Sequence, residues 1–247
     1  MDLRILFLMV ARGGSKGIPK KNLSEVGGIS LIGIRALSAS HKHYFSRLIM
    51  STDNIEIADE ARKYSIDVPF MRPEHLAGDD SSSVDVVKHA VKWIEDNDDE
   101  KYDAIFLAEP SSPFCRPIDI ERAIKMYKTS HPDLVVSVVQ NKVHPIHMGT
   151  LDQNGDFSEV SSRIAKLPTG NRQQHKPQYI MNGCVYLFGW DYFKRENGIF
   201  PSNGRTIAFE MPELNSIEID EMNELDLARY FVDQGKIDFN DIIGKGN

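Results

Sequence analysis

Six apolar residues, Ile5-Leu6-Phe7-Leu8-Met9-Val10, run straight into Ala11-Arg12-Gly13-Gly14-Ser15-Lys16-Gly17-Ile18-Pro19-Lys20-Lys21-Asn22. The apolar run reads as a buried first strand. The turn after it is rich in glycine and loaded with cations. Glycines let the backbone approach a ligand closely and aim N–H groups at it. Arg12 can clamp oxygens in a bidentate fork, while Lys16, Lys20 and Lys21 act as point charges. This combination at a strand end suits a polyphosphate; the plainer alternative is a basic turn with no ligand. Neither familiar phosphate loop fits. The pattern Gly-x4-Gly-Lys-Ser/Thr needs a glycine where Ile18 stands, and Gly14-Ser15-Lys16-Gly17 supplies only the tail of Gly-x-Gly-x-x-Gly.

The rest of the chain sets this loop in an alternating pattern. Strands are expected near residues 4–10, 47–52, 103–108 and 133–139, with helices near 30–40, 55–64, 82–95 and 117–129. Asp53 is the expected N-cap of the second helix, with Glu56 at the capping-box position, and Asp79 to Ser83 offer caps for the third. Val68-Pro69-Phe70 reads as a short strand. Such alternation argues for βαβ units and a mostly parallel sheet. The pattern weakens over residues 141–180, where prolines, glycines and short alternating stretches suggest a β-rich excursion. It resumes with strands at Cys184–Phe188 and Ser216–Ile219 and a helix near 222–234. Asn240 to Asn247 read as a tail, so one domain over 1–240 is expected, with 241–247 outside it.

Composition narrows the partners. A chain of 247 residues, 41% hydrophobic and 26% charged, can form one large domain with a full core. A net charge of −7 argues against a surface that coats nucleic acid, so the local cluster of cations points to a small anion. Cys115 and Cys184 are too few for a disulfide framework and fit a reducing cytoplasm. The first apolar run is too short for a membrane span and lacks the flanks of a signal peptide.

Segments 11–22, 51–54, 109–113 and 218–220 all lie at expected strand ends, where open α/β sheets bind ligands. One shared cleft follows. Glu218 and Asp220, one residue apart on an expected strand, would place both carboxylates on one face and Ile217 and Ile219 on the other. Paired carboxylates suit a hard divalent cation. An acidic strand edge, or Asp220 capping the following helix, is an equal reading of the residues alone. Pro110-Ser111-Ser112-Pro113 is a rigid turn with two hydroxyls, suited to a sugar or to an ordinary turn.

The ordered set of these pieces resembles the acylneuraminate cytidylyltransferases, or CMP-sialic acid synthetases. It comprises Ala11–Lys16, Ser51-Thr52-Asp53, Arg72–Ala77, Pro110–Pro113, Arg172-Gln173, Asn182-Gly183 and Ile217–Asp220. The resemblance implies a Rossmann-like three-layer sandwich with a mostly parallel central sheet and a small β-rich dimerisation protrusion. It implies an enzyme that joins CTP to an acidic nine-carbon sugar and releases pyrophosphate. The implied cofactor is Mg²⁺ or Mn²⁺ on Asp220 and Glu218, and the implied assembly is a cytoplasmic homodimer without nucleic-acid or membrane partners, serving surface polysaccharide synthesis. Catalytic roles would fall to Arg12, Lys21 and Asp220. Nucleotide contacts would come from Ala11, Arg12, Gly14, Ser15, Lys21, Asn22, Arg72, Ala77 and Ser82. Sugar contacts would come from Glu109, Ser111, Ser112, Lys142, Arg172, Gln173, Tyr179 and Asn182. Two departures stand out. Glu218 replaces the first Asp of the usual Asp-x-Asp, and Glu109 replaces a Gln. A Gln can donate, whereas an ionised Glu only accepts, which points to a sugar other than plain sialic acid, one with extra nitrogen-bearing groups; a core Glu paired with a nearby Lys is the plainer alternative. The alternatives are legionaminic or another bacterial nonulosonic acid, a different nucleotide, or a non-catalytic nucleotide sensor on the same fold.

Overall fold

A computed structural model describes residues 3–40, 44–78, 80–166 and 176–244. In chain order the strands are β1 Ile5–Val10, β2 Glu25–Val26, β3 Ile29–Ser30, β4 Arg47–Ser51, β5 Ala104–Ala108, β6 Leu134–Asn141, β7 Gln178–Gly189 and β8 Thr206–Glu210. The helices are α1 Leu31–Ser40, α2 Ile55–Lys63, α3 Ser83–Asn97, α4 Pro117–Ser130, α5 Ser158–Ala165, α6 Trp190–Glu196, α7 Met222–Asp233 and α8 Phe239–Ile242. The main sheet has the order β4-β1-β5-β7-β6-β8. Only β7 runs against the others, pairing antiparallel with both β5 and β6. The remaining neighbours are parallel.

Period-two alternation along β1 divides the core. Ile5, Phe7 and Met9 pack on one face with α1, α2 and α4, through Ile32, Ile57 and Ile120 among others. Leu6 and Leu8 pack on the other with Val87, Ala90 and Ile94 of α3 and Phe193 of α6. Helices therefore flank a sheet, giving the three layers expected. A third cluster joins Ile18 of the basic loop, Ile219, Leu225 and Ala228 of the α7 region, and Ile242. It draws the two ends of the chain together.

Several expectations are corrected. The tail is not a tail: α8 buries Ile242 completely and Ile243 nearly so. Residues 245–247 lie outside those described. The excursion is less β-rich than its residues suggested. Between β6 and β7 the described residues form a short turn at Pro145–His147 and helix α5. The strands β6 and β7 instead extend into it, paired as far as Asn141 and Gln178. Residues 68–70 make no strand; isolated bridges tie Asp67 to Ile49 and Met71 to Thr52. Ser216–Ile219 is no strand either, but the end of a turn followed by an extended run. The N-cap of α2 is Asn54, whose side chain accepts from Ile57 N, so Asp53 is released for another contact.

Candidate active site

A cleft of about 650 Å³ opens beyond the carboxyl ends of β1 and β5. The basic loop supplies part of its lining. Asn22 Nδ2 donates to the Arg12 carbonyl at 3.1 Å, closing the loop on itself. Gly13 N donates to Asp53 Oδ1 at 3.0 Å, which is the work Asp53 does in place of capping. Lys20 takes a left-handed backbone, φ 53°, and its ammonium pairs with Glu56 at 2.6 Å. The next residue, Lys21, turns the other way and pairs with Asp220 at 2.8 Å. Gly17 has to be glycine, because a Cβ there would stand 2.2 Å from the Asp220 carbonyl oxygen.

Among the nucleotide residues expected from sequence, Ala11, Arg12, Ser15, Lys21, Asn22 and Arg72 line the cleft. Gly14, Ala77 and Ser82 do not. Ser82 is the N-cap of α3, accepting from Asp85 N at 3.1 Å, while its neighbours Ser81 and Ser83 face the cleft. Ala77 contributes its carbonyl, 3.5 Å from Arg12 Nη1. Arg72 is 7% exposed and is largely a clamp: Nε and Nη2 bond Ser51 and the Ala11 carbonyl, tying the ends of β1 and β4. Burial lowers its pKa to about 10. Val10, Leu76 and Val86, which the sequence reading missed, add an apolar wall.

Glu109, Pro110 and Ser111 after β5, with Asp220 and Glu221, complete the lining. Ile219 N donates to the Ser111 carbonyl at 2.8 Å, and its side chain is fully buried, so Glu218 and Asp220 flank an anchored residue and both remain exposed. The alternation inferred from sequence thus survives without a strand. The N-cap of α7 is Glu221, and Glu224 Oε2 accepts from the backbone of both Asp220 and Glu221. The Asp220 carboxylate is therefore not the cap.

These acids crowd one another. Burial, then the Glu218 charge, holds the Glu109 carboxyl above its usual range, with Lys21 opposing. Burial, then Asp220, raises Glu218, again with Lys21 opposing. Among the described residues, no three His, Cys, Asp or Glu side chains converge to hold a metal. Asp220, which lines the cleft, and Glu218 beside it, which does not, still fit Mg²⁺, since that ion takes one or two carboxylates and completes its shell with water and substrate phosphates.

The remaining sugar candidates scatter. Ser112 and Asn182 are buried in a connecting network. Ser112 Oγ donates to the Asn182 carbonyl at 3.3 Å, Ser137 Oγ donates to Asn182 Oδ1 at 2.5 Å, and Asn182 Nδ2 donates to Ser216 Oγ at 2.8 Å. Gly183 beside them has φ 71°, and a Cβ there would meet Ser112 Oγ at 2.6 Å. Tyr179 is exposed, and Lys142 pairs with Glu213 at 2.5 Å; neither lines the cleft. Arg172 and Gln173 lie outside the described residues. Sequence reading also missed Arg35, fully buried in α1, where Nη2 donates to the Cys184 carbonyl at 2.5 Å. Its guanidinium lies 5.8 Å from the Phe106 ring centroid and opposes the rise of Glu109. A lone cation in the apolar run of α1 was the available signal.

A glycine-rich basic loop joined to the Asp220 carboxylate in a strand-end cleft defines a nucleotidyltransferase-type site. The sequence matches the cytidylyltransferase family over residues 6–237, and the chain belongs to that family. It is 27% identical to the CMP-N,N'-diacetyllegionaminic acid synthase of Campylobacter jejuni, spanning 92% of this chain and 94% of that protein. It is 29% identical to the N-acylneuraminate cytidylyltransferase of Escherichia coli, across 92% of this chain and 52% of that one. Its fold is like that of CMP:2-keto-3-deoxy-manno-octonic acid synthetase solved with CTP, with a TM-score of 0.65 and 14% identity over 94% of this chain and 99% of the other. Among the described residues no helix is long and apolar enough to cross a membrane.

Proposed function

We propose that this cytidylyltransferase activates a nonulosonic acid, an acidic nine-carbon 2-keto-3-deoxy sugar, by joining it to CMP. The observation that carries the reading is the Lys21–Asp220 ion pair, which brings the basic loop and the acidic segment to one point of the cleft. The nucleotide's phosphates would lie along the loop, held by Arg12, Lys21 and backbone amides. Its base would rest against Val10, Leu76 and Val86. The sugar would enter beside Glu109 and Ser111. Its anomeric hydroxyl attacks the α-phosphorus and loses its proton to solvent, an O–P bond forms, the α–β anhydride breaks, and pyrophosphate leaves. Arg12 and the amides stabilise the charge that develops on the phosphoryl oxygens. Mg²⁺ or Mn²⁺, held by Asp220 with Glu218, would screen the charges of the two anionic substrates. A sensor with no chemistry would not need that carboxylate pair.

One observation favours a sugar with extra nitrogen-bearing groups, such as a legionaminic acid, over plain sialic acid. The Glu109 carboxylate makes no hydrogen bond among the described residues and faces the cleft, so it can accept from an N–H of the substrate. The homodimer is also part of this reading. Leu151 in the excursion, and Ile180 and Met181 on β7 at its edge, are apolar side chains exposed by 70, 50 and 48% that a second copy would cover. The buried free thiols of Cys115 and Cys184 suit a reducing compartment. Incubation with each nucleoside triphosphate and a panel of 2-keto acid sugars tests the reading. CMP-sugar and pyrophosphate are expected with CTP and a diamido nonulosonic acid; turnover with no nonulosonic acid would refute it. Light scattering at micromolar concentration should give twice the chain mass.

A further inference from the structure

Lys21 is enclosed by acids. Its side chain is 14% exposed, while that of its partner Asp220 is 65% exposed. The same ammonium is the cation that opposes the upward shift of Glu218 and, with Arg35, that of Glu109. It is held there by the backbone. The left-handed turn at Lys20 sends consecutive lysines to different partners, Glu56 and Asp220. Gly17 abuts the Asp220 carbonyl, and Ile18 and Ile219 share one core cluster.

An ammonium among carboxylates does electrostatically what a metal ion does: it relieves their repulsion. The two cannot share Asp220 without repelling each other. Nucleotide phosphates offer the ammonium a strong alternative, a charge-assisted bond to an anion of higher charge. We propose that Lys21 is the internal counter-ion of the metal site, holding Asp220 in the ligand-free enzyme and yielding it to a divalent cation when phosphates draw its charge away. The inference rests on the nucleotidyltransferase reading for what draws Lys21 away. Metal binding and nucleotide binding are then coupled through one side chain, and the coupling is reciprocal. A lysine that served only to hold phosphate would leave metal binding without nucleotide untouched.

The test is Mn²⁺ binding to the full-length, nucleotide-free protein, followed by electron paramagnetic resonance. Lys21→Met and Lys21→Gln should each bind Mn²⁺ about tenfold more tightly than wild type, because a unit positive charge has left the site. Adding Asp220→Asn to either should abolish the gain. Less than a threefold gain, or a loss, in variants with native circular dichroism overturns the proposal. A wild-type measurement avoids any folding failure: acetylation of Lys21, read by mass spectrometry, should speed up when Mn²⁺ alone is added, and an unchanged rate overturns the proposal. The two readings fail separately. If CMP-sugar forms but Mn²⁺ affinity does not rise, the counter-ion role falls and the activity stands. If affinity rises but no acidic sugar is activated, the reverse holds.

Discussion

Strands β4, β1 and β5 build one half of the sheet, and β7, β6 and β8 the other, and the two halves reach the cleft by different means. In the first half each strand is followed at once by its functional segment. Arg12 comes two residues after β1, Asp53 two after β4 and Glu109 one after β5. In the second half no strand end reaches the cleft. The acids arrive on an extended run after a turn, hung from the Ser111 carbonyl by Ile219 N and from the core by the Ile219 side chain. A site in a parallel sheet can thus be half local and half long-range. The long-range half depends on a few anchors.

The largest effect should come from removing the long-range acid. Asp220→Ala is expected to bring turnover to background at saturating Mg²⁺ with a native fold by circular dichroism, and Glu218→Ala to do less. A wild-type kcat at limiting Mg²⁺ for Asp220→Ala would break the assignment of the metal to this half.

Next in size is the local cation. Arg12→Ala should slow the chemical step in single-turnover assays by about 10²–10³, the cost of roughly 3–4 kcal/mol for one lost transition-state contact. A change confined to the KM of the sugar would move Arg12 out of the phosphate-binding half.

Glu109 sits where the halves meet, so its role sharpens the border. Glu109→Gln keeps the shape and changes charge and donor count. The kcat/KM ratio between a diamido nonulosonic acid and plain sialic acid should fall by about tenfold, since a pairing worth about 1.4 kcal/mol is exchanged for a mismatch. The KM for CTP should hardly move. Equal responses of both sugars would make Glu109 structural.

The smallest effect tests the division of labour at the end of β4. Asn54→Ala removes the helix cap at about 1 kcal/mol and should lower Tm by about 2–4 °C with little loss of rate. Asp53→Ala should do the opposite, costing rate through the Gly13 contact and little stability. If Asp53 proves the more stabilising of the two, it is the Asp53 tie, not the Asn54 cap, that holds the end of β4.

The sequence alone determined the periodic core and the chemistry of the short loops. The apolar run of β1 and the alternating helices dictated a parallel sheet, because a strand buried on both faces needs a helix layer on each. Glycines and cations in residues 11–22 dictated an anion site, because both properties are local. The tertiary structure decided what depended on distant partners. It inserted β7 antiparallel between β5 and β6, and it gave α2 to Asn54 rather than Asp53. It made Arg72 a clamp at the edge of the cleft and Asn182 a buried connector, where the family resemblance had implied ligand contacts. It folded Ile242 into the core, where a weakly patterned end had looked like a tail. Above all it joined Lys21 to Asp220, 199 residues apart. Pattern within a segment records which face is buried; it does not record which distant charge, carbonyl or cavity that segment will meet.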